Sequence, residues 1–124
     1  MDLKEYFENT TGLGVIATAD ANGRVDAAVF ARPHVMDDGL LAFIMRDRAT
    51  HDNTQANPRA TFLFKEDGPG YKGKRLYLTK VKEENNAEII ESIRRRSYLS
   101  DKDSNESTFL VYFKVDKERP LIGD

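Results

Sequence analysis

Arg46, Arg48, Thr50 and His51 stand close together in Phe43-Ile-Met-Arg-Asp-Arg-Ala-Thr-His-Asp-Asn-Thr-Gln-Ala-Asn57-Pro58, where an apolar run gives way to a charged turn and then to a polar segment able to form a helix. Two guanidiniums, a hydroxyl, an imidazole and the orphan N–H groups of a helix's first turn are the donors that a phosphate group takes. The plain alternative is a solvated turn in which Arg46, Asp47 and Arg48 stay in water and Thr50 caps the helix. Three further features invite the same double reading. His34, after Arg32-Pro33, could face a ring or a second subunit, or be an ordinary histidine. Tyr71, in Gly68-Pro-Gly-Tyr-Lys-Gly73, could close over a ligand or pack its ring on neighbours. Arg94-Arg-Arg96 is either a basic contact or a solvated helix face interleaved with Glu88 and Glu91. No pattern supplies a convincing general acid or base.

These residues belong to a chain of 124, with net charge −2 and 40% hydrophobic residues, enough for one ordinary core and a single domain spanning 1–124. Near-balanced charge excludes the basic excess of a nucleic-acid protein, so no nucleic-acid partner is expected. The lack of cysteine removes disulfides, thiolate metal sites and Cys nucleophiles together, leaving any redox chemistry to a borrowed cofactor. No apolar run approaches the ~20 residues a bilayer needs, and the N-terminus has no signal-like pattern, so a cytoplasmic protein without a membrane partner is expected.

The elements that must position the candidates are mostly short strands. Leu3, Tyr6 and Phe7 give an amphipathic opening helix whose stripe lids something, and Leu13 to Ala19 reads as a strand. Asn22-Gly23 predicts a tight hairpin to a second strand, about Arg24 to Arg32. After Pro33, His34-Val35-Met36 runs extended to a second hairpin at Asp37-Asp38-Gly39. Leu40 to Met45 is a central strand covered on both sides, Thr50 to Ala56 a short helix stopped by Asn57-Pro58, and Ala60 to Lys65 an alternating strand. Lys74 to Lys82 adds another. Asn86 to Tyr98 carries Ile89, Ile90 and Ile93 as a helix capped by Asn85 or Asn86, followed by a polar connection over Ser97 to Ser107. Thr108 to Val115 is the last strand, its Phe109 to Phe113 assigned to core and subunit interface, and the Pro120 tail is placed at the surface or on a partner. Connections this short exclude parallel crossovers and predict a mainly β fold, a closed or split barrel with peripheral helices.

In order and spacing, Gly14 to Thr18, Ala21-Asn-Gly-Arg24, Val29-Phe-Ala-Arg-Pro33, Asp38-Gly39, and Arg48-Ala-Thr-His-Asp-Asn53 running into Asn57-Pro-Arg-Ala60 resemble the pyridoxamine-5'-phosphate-oxidase-like, FMN-binding split-barrel family. The resemblance implies a six-stranded antiparallel split barrel that forms a homodimer, with one FMN at each end of the interface. It implies that Arg46, Arg48, Thr50 and His51 hold the phosphate, and that the isoalloxazine ring lies along Val29, Phe30, Ala31 and Arg32 and along Phe43, Ile44 and Met45. Arg32 would then offset negative charge on the reduced ring. True pyridoxamine-phosphate oxidases carry a longer C-terminal region with a Trp and an Arg-containing motif, whereas this chain has no Trp. The expectation is therefore a small FMN-dependent oxidoreductase passing hydride or electrons, not a vitamin B6 oxidase. The alternatives are a barrel that reads single-stranded nucleic acid through Phe30, Phe43, Tyr71 and Arg94 to Arg96, and one that holds haem on His34 or His51, or nothing, and serves sensing, storage or interaction.

Overall fold

The computed structural model describes residues 2–93 and 108–123. Asn22-Gly23 closes the hairpin between β1 (Gly12–Ala19) and β2 (Val25–Phe30). Gly23 takes φ 86°, a left-handed conformation open to glycine at no steric cost. The Asp20 carboxylate accepts the N–H groups of Asn22 and Arg24, which fixes the turn. The remaining elements are α1 (Leu3–Asn9) before the hairpin, then β3 (His34–Val35), β4 (Leu41–Arg46), α2 (Ala49–Ala56), β5 (Arg59–Glu66), β6 (Gly73–Glu84), α3 (Ala87–Ile93) and β7 (Thr108–Pro120).

All seven strands lie in one antiparallel sheet in the order β2-β1-β5-β6-β7-β4-β3. The sheet curls on itself, and its two edge strands, β2 and β3, are consecutive in the chain yet share no ladder. That is the split. The seventh strand, beyond the six expected, is the two-residue β3, held by His34↔Ala42 and Val35↔Leu41. The other departure is at the C-terminal end. Residues expected as a surface tail after Val115 continue β7 to Pro120, because Lys117 to Pro120 pair with Tyr77 to Lys74 of a long β6.

The alternation of β5 decides what fills the barrel: Ala60, Phe62 and Phe64 point inward, with Ile16, Leu41, Phe43, Met45, Leu76, Leu78, Val111 and Phe113 around them. Phe43 meets Phe62 and Phe113 edge-on at centroid distances of 5.0 and 5.8 Å, the geometry that ring quadrupoles favour. Helix α1 closes one mouth, setting Phe7 against Phe62 and Phe64. The small cluster of Ala42, Leu110, Tyr112 and Ile90 covers the other face of β4 and β7, so β4 is enclosed on both sides as its composition predicts. Residues 110–113 are all buried inside the protomer. The core part of the expectation for Phe109 to Phe113 holds at 110–113, while Phe109 is half-buried.

Helix α3 is capped by Asn86, whose side chain accepts from Glu88 and Ile89 N–H; it buries Ile90 and leaves Ile89 partly exposed. The rest of the predicted helix, Arg94-Arg-Arg96 and the 97–107 connection lie outside the described residues. Among the described residues no helix is long and apolar enough to cross a membrane.

One surface remains apolar. On the outer face of β2, β1 and β5, Val25 (76% exposed), Val29 (69%), Leu13 (52%) and Leu63 (37%) surround Val15, Ala17 and Ala27. The register sets Val15 between Val29 and Leu63 in an uncharged centre, which Arg59 and Lys65 flank on the outer side of β5.

Candidate functional site

Helix α2 lies at the mouth of the barrel opposite α1. Asn53 donates to Thr18 Oγ1 at 3.0 Å, and Thr54 Oγ1 donates back to the His51 carbonyl at 2.9 Å, so the hydroxyls of Thr18 and Thr54, both buried, are satisfied. Asn57-Pro58 ends it as expected: the Asn57 backbone is extended at φ −143°, and its side chain accepts from Arg59 N–H.

The N-cap of α2 is Arg48, with extended backbone (φ −134°, ψ −168°) and no side-chain hydrogen bond to the first turn. A guanidinium has no acceptor, so it cannot satisfy the orphan amides; an anion can. Thr50 is therefore not the cap that the plain alternative requires. It sits in the first turn and is buried, while Arg46 is half-buried and Arg48 exposed. Strand end, cationic turn and helix start thus do converge.

His51 is differently engaged. Only 3% exposed, its ring stacks on Phe109 with centroids 3.9 Å apart and planes 7° from parallel. Its Nε2 lies 3.0 Å from Glu83 Oε1, and Lys80 Nζ donates to the same oxygen at 2.7 Å. The β6 ladder shifts register between Lys80 and Lys82, and this bulge brings Lys80 and Glu83, three residues apart, to bear on one point. Burial alone would raise the Glu83 carboxyl, but the hydrogen bonds from Lys80 and His51 outweigh it and hold it below its ordinary value.

The residues expected along a flavin ring divide. Val29 and Ala31 are exposed, and Phe30 packs edge-on against Phe43 at 6.2 Å. Arg32 Nη1 donates to the carbonyls of Phe7 and Thr10 at 2.7 and 3.0 Å, tying the end of β2 to the C-terminal end of α1. Phe43 and Met45 point into the core, and Ile44 points to the opposite face. The structure therefore groups Arg46, Arg48 and Thr50 at α2 and sets Val29 to Arg32 on the edge of the sheet. His34 is half-buried on β3, and Tyr71 is 70% exposed in its loop.

The sequence reading missed an open groove of about 630 Å³ on the outer side of β1, β5 and β6. Ala17 and Thr61 floor it, and Asn57, Arg59, Tyr77 and Lys117 stand around it. The Asn57-Pro-Arg59 segment was the only signal available, since the other lining residues come from strands whose outer faces carry no motif.

No protein-family model and no curated protein matches the chain. Solved structures do. An FMN-binding protein from Syntrophomonas wolfei superposes with TM-score 0.76 at 19% identity, covering 98% of this chain and 84% of its own. HupZ of Group A Streptococcus gives 0.70 at 18%, covering 96% and 90%. An F420 reductase gives 0.65 at 16%, covering 96% and 98%. A candidate pyridoxamine 5'-phosphate oxidase from Lactobacillus delbrueckii gives 0.66 at 16%, covering 93% and 88%. At these identities the likeness is one of architecture, and it extends over nearly the whole chain. The chain has the fold of the pyridoxamine 5'-phosphate oxidase-like split barrels.

Proposed function

We propose that this protein is a homodimeric FMN-binding oxidoreductase. One observation carries the reading: on a barrel whose fold is shared with an FMN-binding protein, the N-cap residue of α2 gives no side-chain cap, and the helix is headed by Arg46 and Arg48. That donor set fits a phosphate monoester. The first-turn amides supply directed N–H bonds, the two guanidiniums supply charge, and Thr50 adds a hydroxyl. His51 is held by Glu83 and supports the helix from beneath.

The ring is assigned to the edge of β2, along Val29 to Arg32. There the chain offers apolar surface and, in residues 31–33, backbone outside any ladder. Arg32, tied to α1, fixes the end of that strand. FMN, when bound, supplies the hydride or electron transfer; the protein binds it, orients it and limits water around it.

The dimer is assigned to the outer face of β2, β1 and β5. An exposed apolar face of this kind is characteristic of an interaction site. Its charge-free centre lets a second copy meet it across a two-fold axis without opposing like charges. Such a contact also covers one side of β2, where the ring is placed.

Fluorescence titration of FMN and riboflavin with the purified protein tests the reading. Tight, saturable quenching of FMN with riboflavin at least ten-fold weaker is expected; equal affinity for the two, or no binding, rejects it.

A further inference from the structure

We propose that Asp47, His51 and Asp52 form a binding site for a first-row divalent metal ion, with zinc as the representative ligand. His51 Nδ1 is buried and has no hydrogen-bond partner, although the ring is otherwise fully engaged. Nδ1 faces Asp47 Oδ1 at 3.5 Å without hydrogen-bond alignment, and ligand atoms of Asp47, His51 and Asp52 all fall within 4.8 Å of one another.

The other side of the ring fixes the tautomer. In neutral imidazole one nitrogen donates and the other accepts. Nε2 lies 3.0 and 3.2 Å from the two oxygens of Glu83, which as a carboxylate accepts only. Nε2 therefore carries a proton, and Nδ1 points at the Asp47 carboxylate with no hydrogen bond between them. A buried ring nitrogen set against a carboxylate without a hydrogen bond is a place for a cation, and a metal ion bridges the two where a ring proton leaves them unbonded. This is the arrangement in which a metal-bound histidine is held by a carboxylate on its far nitrogen.

The dimensions fit. Ligand atoms around a four-coordinate zinc ion sit about 3.4 Å apart, given bonds of about 2.0–2.1 Å. The 3.5 Å between Nδ1 and Asp47 is already at that spacing. Asp52, exposed, offers the third ligand atom within 4.8 Å of the other two. One imidazole and two carboxylates suit zinc, manganese or iron rather than copper(I), which wants sulfur, or calcium, which wants more oxygens. Three protein ligands leave room for water in the fourth place. The ion would join the turn before α2 to its first helical turn, and through His51 to β6 and β7.

The test is calorimetric titration of the untagged full chain with zinc chloride in the absence of flavin, so that its outcome is independent of FMN binding. One site per chain is expected, with Asp47→Asn and Asp52→Asn each weakening it at least ten-fold; both residues are exposed, so the fold should survive either change. Glu83→Gln should weaken it by about 10- to 100-fold through the second nitrogen. In nitrogen-15 NMR of the wild-type protein, zinc should shift His51 Nδ1 while Nε2 stays protonated. Absence of saturable binding, wild-type affinity in both aspartate variants, or an Nδ1 resonance indifferent to zinc would each overturn the assignment.

Discussion

His51 and Phe109 lie face to face, 3.9 Å between centroids and 7° from parallel, so that the first turn of α2 rests on the first residues of β7. These residues are far apart in sequence, and their contact, with the Asn53–Thr18 and His51–Glu83 bonds, ties α2 to the barrel. Truncating Phe109 should loosen both.

For Phe109→Ala we expect a loss of about 2–4 kcal/mol, slightly below the usual cost for a fully buried phenylalanine because this ring is only partly buried. Urea unfolding measures it, and hydrogen exchange should show the added opening concentrated in α2. An equal rise in exchange across all elements would mean that the stack does not hold the helix.

Gly14 should tolerate no side chain. A Cβ there would lie 2.5 Å from the Phe62 ring and 2.8 Å from the Phe30 carbonyl. Gly14→Ala should therefore destabilise by about 1–3 kcal/mol, the range for an overpacked core. The double variant Gly14→Ala/Phe62→Leu should recover part of that loss in the same unfolding assay; no recovery would place the conflict at the Phe30 carbonyl instead.

Tyr6 donates to Glu66 at 2.6 Å, and burial, followed by that hydrogen bond, raises its phenol well above the ordinary value of 10.0. The sign follows. Below pH 10 both folded and unfolded chains hold the proton, and the contribution is complete. Above it the unfolded chain releases the proton first, so stability falls as pH climbs toward the higher folded value. Between pH 9 and 11.5 the wild type should lose stability more steeply than Tyr6→Phe, as read by urea midpoints. Parallel curves would show that Tyr6 titrates normally.

Val29→Lys places a charge on the exposed face assigned to the dimer without touching the core. Light scattering should give twice the protomer mass for the wild type and the protomer mass for the variant. A variant that stays dimeric moves the interface elsewhere.

How far the sequence revealed this molecule can be judged residue by residue. Asn22-Gly23, Asp38-Gly39 and Asn57-Pro58 act through local backbone chemistry, and each turn stands where its residues put it. Phe62 and Phe64 announced their face by strict alternation. The length of β7 was hidden because Asp116 to Arg119 are polar, and only pairing with β6 makes them a strand. The position of His51 in α2 is visible in sequence, whereas its contacts with Glu83 and Phe109 were not, because these reach it through a bulge and a non-local strand. The bonds of Arg32 to the carbonyls of Phe7 and Thr10 were likewise hidden, because they exist only once α1 has folded over the barrel.

The phosphate grip at α2 is measured by the FMN affinity of Arg48→Ala and Thr50→Ala compared with the riboflavin affinity of the same proteins. A charge-assisted hydrogen bond contributes roughly 1.5–3 kcal/mol, so Arg48→Ala should weaken FMN at least about ten-fold and Thr50→Ala somewhat less, with riboflavin nearly unchanged in both. FMN held by Arg48→Ala as tightly as by the wild type, or FMN and riboflavin weakened equally, would contradict the assignment of α2 as the phosphate site.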